Sequence, residues 1–281
     1  MTTLAPERVG TPARRAALPP ARVIADIALL AQRNLIKSVR MPMYIVFSTI
    51  QPFMQLVLFV FVFGSIADIG PGMSYRNYVV PAVLVQTMTF AGMGSGVGIA
   101  RDLDTGMIDR FRSLPIARSA FLVGRTSSDS LRLGVQATLL VVAAMLMGFR
   151  FGNGALPAFG MFVIVVMFGL ALTTFSAWMG LTVRDPETVQ AAMFIPVIPL
   201  VFTSSAFAPI SRLPGWMQPF AEWSPVTAAI DSARGLALGD EVLYQVNQVH
   251  LHTALWHFLL WWVVIVVVFT ALAVRRYRLG S

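Results

Sequence analysis

His250, His252 and His257 are the three histidines of the chain, and they crowd into eight residues near its C-terminal end. His250 and His257 are seven apart, so a helix presents both on one face, where two imidazoles could enter the shell of a transition metal. No carboxylate or thiol lies within that stretch, and the chain contains no cysteine. Anchoring at a membrane interface is therefore the preferred role, and no metal site is expected. Gly92, Gly94, Gly96 and Gly98 form the next chemically suggestive series. They do not meet the G-x-G-x-x-G spacing that cradles a dinucleotide, and no strand pattern precedes them, so close helix approach is the simpler use of small residues there. Lys37 is the single lysine, which rules out a G-x-x-x-x-G-K-[ST] phosphate loop within these residues. Any ATP site serving this protein must then lie on another polypeptide. Gln51 and Gln55, four residues apart on one helical face, are amides within an apolar run. Such amides need a partner, whether another helix, water in a cavity, or a bound compound.

The elements that position these groups follow from composition. Of 281 residues, 57% are hydrophobic and 12% charged, about half the charge of an ordinary soluble domain. Charge-free runs extend from Met43 to Ile66, Asn77 to Ala100, Leu133 to Phe149, Gly152 to Val183, Thr188 to Ser211, and Leu251 to Val274. Each approaches the roughly 20 residues that cross a hydrocarbon core. The expectation is an all-α polytopic membrane protein with six spans, at about 43–66, 77–100, 125–149, 155–183, 188–208 and 251–274. Arg125, Asp129 and Arg132 precede the apolar part of the third, whose first turns should project into the cytoplasm. The first apolar span starts some forty residues in, too late for a cleavable signal peptide.

Basic residues set the orientation. Of 21 Lys and Arg, seventeen fall on the side of both termini and four, Arg76, Arg150, Arg212 and Arg234, on the other. The positive-inside rule places the termini in the cytoplasm of a multi-pass cell-membrane protein. The high pI is accounted for by topology, and no nucleic acid is expected as a partner.

Residues 1–21 are rich in proline and arginine and predict a disordered cytoplasmic tail. Over 22–40, Arg22, Asp26, Arg33, Lys37 and Arg40 fall within a sector of about 60°, the pattern of an amphipathic helix lying against lipid headgroups or a cytoplasmic partner. Thr173, Thr174 and Ser176 can bond back to their own helix, and Pro196 and Pro199 interrupt the fifth span. Between spans two and three, over 101–118, Leu103, Met107, Phe111 and Leu114 recur at helical spacing and predict a short amphipathic helix stopped by Pro115. The segment 209–240 carries Leu213, Trp216, Met217, Phe220 and Trp223, an interfacial aromatic set. Ser224 and Pro225 suit N-cap and N1 positions and Gly239 a C-terminus, so Val226–Leu238 predicts a short helix dipping back toward the bilayer. Residues 276–281 form a cytoplasmic tail.

Three stretches together resemble the ABC-2 type permeases, especially the daunorubicin/doxorubicin-resistance-like exporters of actinobacteria. They are Arg40-Met-Pro42 with Gln51-Pro52 and Leu58 to Gly64; Asp104-x-Gly106 to Pro115 with Gly124-Arg125; and Leu213-Pro-Gly-Trp216 through Ser224-Pro-Val-Thr227 to Arg234-Gly235. The resemblance covers nearly the whole chain. Met41 stands where that family commonly has Asn or Asp, Asp104 where it has Glu, and Ser224 where it has Asn. What it implies is an N-terminal connecting helix, a cytoplasmic coupling helix, re-entrant helices before the last span, and a permease dimer, homomeric or heteromeric, on two ATPase subunits. ATP and Mg would then be bound by the ATPase and none by this chain, which is expected to be a non-catalytic subunit.

By that resemblance Asp102, Asp104, Gly106, Arg110, Phe111, Arg112, Pro115 and Arg118 are candidates for ATPase coupling, and Arg33, Lys37, Arg40 and Pro42 belong to the connecting helix. Pro214, Trp216, Pro225, Thr227 and Arg234 mark the re-entrant segment, and Gln51, Gln55, Gln86, Phe90, Phe194 and Phe202 are the candidates for a cargo path along spans one, two and five. The expected cargo is hydrophobic or amphipathic: a drug, polyketide or lipid. A polysaccharide or glycolipid exporter is the nearest alternative, and a stand-alone carrier or channel is the rival from another class. The spans hold no ionisable group at their centres to bind a coupling ion.

Overall fold

The structure is a computed structural model and describes residues 42–65, 73–105 and 118–279, with side chains over 49–65, 73–105 and 128–276. The expected connecting helix and N-terminal tail, and Gly106, Arg110, Phe111, Arg112 and Pro115, lie outside the described residues, as do the last two residues of the expected C-terminal tail.

Every regular element among the described residues is helical. α1 spans Pro42–Val57 and runs on through a π turn, Leu58–Val62, and a 3-10 turn, Phe63–Ser65. Then follow α2 (Tyr75–Asp104), α3 (Arg118–Leu146), α4 (Ala155–Val183) and α5 (Pro186–Phe202). A 3-10 turn at Ile210–Arg212 leads into α6 (Gln218–Glu222), α7 (Pro225–Leu238), α8 (Asp240–Asn247) and α9 (Leu251–Leu279). Four of these are long and apolar enough to cross a membrane over Tyr75–Asp104, Ser128–Leu146, Ala155–Val183 and Leu251–Arg276, while Thr49–Ser65 and Pro186–Phe202 are apolar but shorter.

α2 is the central helix. Its most apolar window is 72% buried, against 17% for that of α9, which leaves a wide apolar face uncovered. Val79, Val80, Val83, Val85 and Met88 of α2 are sealed on all sides. The α2–α4 pair is the most extensive helix contact, and the glycines explain its closeness. A Cβ added at Gly92 would fall 2.7 Å from the Gly169 carbonyl oxygen of α4. One added at Gly96 would overlap Ser176, and one at Gly180 would overlap the Gly96 carbonyl. Backbones meet there with no side chain between them, which is the packing use expected of the series. Ser176 exploits that proximity: its hydroxyl donates to Met93 O at 2.7 Å and accepts from Gly96 N, so it bonds across to α2 rather than back to its own helix. Thr173 and Thr174 do bond back, to Leu170 O and Ala171 O.

α7 begins at the expected capping pair, with Ser224 Oγ accepting from Val226 N at 3.3 Å and Pro225 in the first turn, and it ends at Gly239 with φ of 112°. It is not a surface helix. Eleven of its residues are buried, and it packs against α2, α4 and α9.

Candidate functional site

α5 stops at Phe202, seventeen residues from its start, about 25 Å of rise and a little short of a hydrocarbon core. The chain then runs as turns through Ser204, Ser205 and Ala206, all buried. Irregular backbone in such a place needs internal hydrogen-bond partners, because neither water nor lipid can supply them. Arg234 of α7 provides them. Its side chain is fully buried, its Nη2 donates to Ser205 O at 2.9 Å, and both Nε and Nη2 reach Tyr78 O of α2 at 3.2 Å. The guanidinium carbon also lies 3.8 Å from the centre of the Tyr78 ring, a cation–π contact. Tyr78 donates its hydroxyl to the same Ser205 O at 2.8 Å, while Ser205 N donates to Thr227 Oγ1 at 3.3 Å.

A buried guanidinium needs a counter-charge. Asp231, one turn earlier on α7, supplies it at 2.8 Å from Arg234 Nη1. The same Oδ1 also accepts from Ser205 Oγ at 2.7 Å and from Asn247 Nδ2 at 2.7 Å. This knot ties α2, the α5–α6 connection, α7 and α8 together. Of its members, the sequence reading singled out Thr227 and Arg234 within the re-entrant segment. It missed Asp231, Tyr78, Ser205 and Asn247; the i, i+3 Asp–Arg pair on a short helix otherwise made of small and apolar residues was the available signal.

The six residues expected along a cargo path divide. Gln55 Nε2 donates to Gln86 Oε1 at 2.8 Å, so α1 and α2 meet through paired amides and another helix is the partner that Gln55 required. One turn on from Gln86, Phe90 meets Phe194 of α5 with ring centres 6.0 Å apart. Gln51 is exposed on α1 and Phe202 is exposed at the end of α5, where its ring lies 5.4 Å from that of Phe207. The structure thus brings four of the six into two contacts across α1, α2 and α5.

Asp102 and Asp104, expected at the start of the coupling segment 101–118, belong to the last turn of α2, because that helix continues four residues beyond the expected boundary at Ala100. Arg118 opens α3 and Pro42 opens α1, with no side chain described for either. Nearby, Asp129 of α3 accepts from Ser95 Oγ at 2.7 Å and lies 3.6 Å from Arg132, whose Nη2 donates to Ala91 O at 2.8 Å. These charges clamp α3 to α2.

In the segment before α9, Pro214 and Trp216 are exposed. Two of the histidines stay together and the third stands apart: His250 stacks on His252 and on Tyr244 and lies 3.2 Å from Asp240 Oδ2, while His257 stacks on Trp223. Asp240 also accepts from Leu251 N at the start of α9. That backbone hydrogen bond, helped by His250, holds the Asp240 carboxyl below its ordinary value. Eleven residues separate Asp240 from Leu251, so no local pattern announced this partner.

With this geometry in place, comparison with known proteins decides the family. The model of the ABC-2 type transporter family matches residues 25–238. The chain belongs to the ABC-2 type transporter family. This ABC-2 permease is 29% identical over 261 residues to a daunorubicin resistance ABC transporter permease protein of Streptomyces coeruleorubidus, an alignment that takes in 92% of this chain and 89% of that one. It is 24% identical to a probable doxorubicin resistance ABC transporter permease protein of Mycobacterium tuberculosis, over 78% of this chain and 79% of the other. It is also 25% identical to a putative transport permease of Porphyra purpurea, over 75% and 74%. The ABC-2 permease is thus a membrane transport protein with drug-resistance permeases among its relatives.

Proposed function

We propose that this protein is the membrane-spanning subunit of an ATP-driven exporter that moves a hydrophobic or amphipathic compound out of the cell, with a separate ATPase subunit supplying ATP, Mg and the power stroke. The observation that carries this reading is the family match over 25–238, supported by relatives named for daunorubicin and doxorubicin resistance. All six apolar helices cross the cytoplasmic membrane in this reading, with α1 and α5 among them and both termini inside, as the distribution of basic residues requires. The protein works as a homodimer or with a homologous permease. α6 and α7 form the re-entrant segment on the outer side, fixed by the Arg234 knot.

Coupling is assigned to the cytoplasmic end of α2 and the residues after it, Asp102, Asp104, Gly106, Arg110, Phe111, Arg112, Pro115 and Arg118, together with the connecting-helix residues Arg33, Lys37 and Arg40. The exposure of Asp104 at the end of a long, buried helix supports this: a push on that end would be transmitted along α2 as a rigid body into the core. The cargo path runs beside α1, α2 and α5, past the Gln55–Gln86 and Phe90–Phe194 contacts. The rich supply of Met and Phe, 15 and 20 residues, gives adaptable apolar surface.

Reconstitution tests the proposal. The permease with its cognate ATPase in proteoliposomes should move an amphipathic dye only with ATP, and Asp104→Lys or Phe111→Ala should break ATPase association at unchanged thermal midpoint. Dye movement by the permease alone under an ion gradient would replace this reading with a stand-alone carrier.

A further inference from the structure

Thr227, Asp231 and Asn247 of the knot also face an open space. A cavity of about 460 Å³ opens between the 3-10 turn at Ile210–Arg212, α6, the first turns of α7, the end of α8 with the chain after it, and the start of α9. That is within the range of small-molecule sites. We propose that this cavity binds an organic cation, a positive charge with N–H donors carried on an apolar body.

Charge selects the class. Two carboxylates, Glu222 and Asp231, line the cavity, and no Lys or Arg does. Asp231 is committed to Arg234, Ser205 and Asn247, so Glu222, exposed on α6, is the carboxylate left to meet a ligand. An anion entering there would face Glu222 with no Lys or Arg in the lining to offset it, whereas the charge of Asp231 is already balanced by Arg234. Hydrogen bonding points the same way. Asn247, also in the lining, is 9% exposed and spends its amide N–H on Asp231, while its Oδ1 is buried with no donor. A small reorientation of that amide gives a ligand N–H the acceptor it lacks. The apolar body has its own wall. Trp223 and His257 stack with ring centres 5.3 Å apart and both line the cavity, as do Ile210 and Val246. An aromatic face beside a carboxylate is a common setting for an ammonium group.

By the orientation proposed above the cavity opens to the outside, so it would hold a compound after it has crossed. Treating that compound as cargo rests on the exporter reading; the binding itself does not.

The test uses the full chain in lipid nanodiscs without an ATPase, and rhodamine 123 as probe, followed by fluorescence polarisation. Fluorescein, which has the same xanthene ring and opposite charge, is the counter-probe. Saturable binding of rhodamine 123 and none of fluorescein is expected. Glu222→Gln should weaken it about fivefold, the scale of one partly exposed ion pair. Thr253→Trp, placing an indole into the cavity from the first turn of α9, should abolish it at unchanged thermal midpoint. No saturable rhodamine binding, equal binding of fluorescein, or parental binding by both variants would overturn the proposal. Adding the cognate ATPase separates the two readings. Variant-sensitive binding without ATP-driven dye transport would leave the site standing and remove the exporter. ATP-driven transport with binding untouched by either variant would do the reverse.

Discussion

Arg234 Nη1 lies 2.8 Å from Asp231 Oδ1, and the two side chains are 0% and 3% exposed. The guanidinium simultaneously satisfies the Tyr78 and Ser205 carbonyls. Arg234→Met removes those donors and strands a buried carboxylate, which costs about 3–5 kcal/mol for a pair of this kind. The double variant Arg234→Met, Asp231→Leu should lose less than the two single changes added together. Thermal unfolding of the detergent-solubilised protein measures this; single variants as stable as the parent would contradict the role assigned to the knot.

The α2–α4 contact predicts a position-specific response to bulk. Gly92→Leu and Gly96→Leu should each destabilise by about 1–3 kcal/mol or more, because the Gly169 and Ser176 backbone atoms that they meet cannot rotate away. Gly134→Ala is the control. A Cβ at that position meets nothing within 4 Å, so its effect should stay within about 1 kcal/mol.

For Gln55 and Gln86, a double-mutant cycle with leucine at each position should yield a favourable coupling of about 0.6 kcal/mol, and at most about 2, as for other hydrogen bonds between membrane helices. Zero coupling would mean that each amide finds another partner when the first is removed. The same four proteins, assayed for ATP-driven dye movement, would report whether the α1–α2 contact also matters for transport.

Asp240 gives a pH signature. Its carboxyl accepts from Leu251 N at the start of α9 and sits beside His250, which lowers its folded-state value from the ordinary 3.8. A depressed carboxylate contributes stability above the ordinary value and loses it as pH falls through the folded one. Asp240→Ala should therefore unfold at a lower temperature than the parent at pH 7, and the gap should close progressively below about pH 3.8. A gap of constant size down to pH 2 would show that the carboxylate's charge does not matter.

The amino-acid order by itself determined the class of molecule. Long charge-free runs fix helices, since in hydrocarbon a backbone must satisfy its own hydrogen bonds locally, and helical bonds join residues four apart. For the same reason Ser224, Pro225 and Gly239 announced α7 to within a residue. Small residues at Gly92 and Gly96 signalled close packing, though not that the neighbour would be α4. What the chain order could not supply was partnership across distance. Tyr78 and Arg234 are 156 residues apart, Ser205 and Asp231 are 26 apart, and Gln55 and Gln86 are 31 apart. Each pair is decided by which helix faces stack, a collective outcome of packing with no periodic trace in either segment. The cavity beside Glu222 has the same origin: its walls come from five separate stretches, and only their assembly places a carboxylate, an unpartnered amide oxygen and a tryptophan around one space.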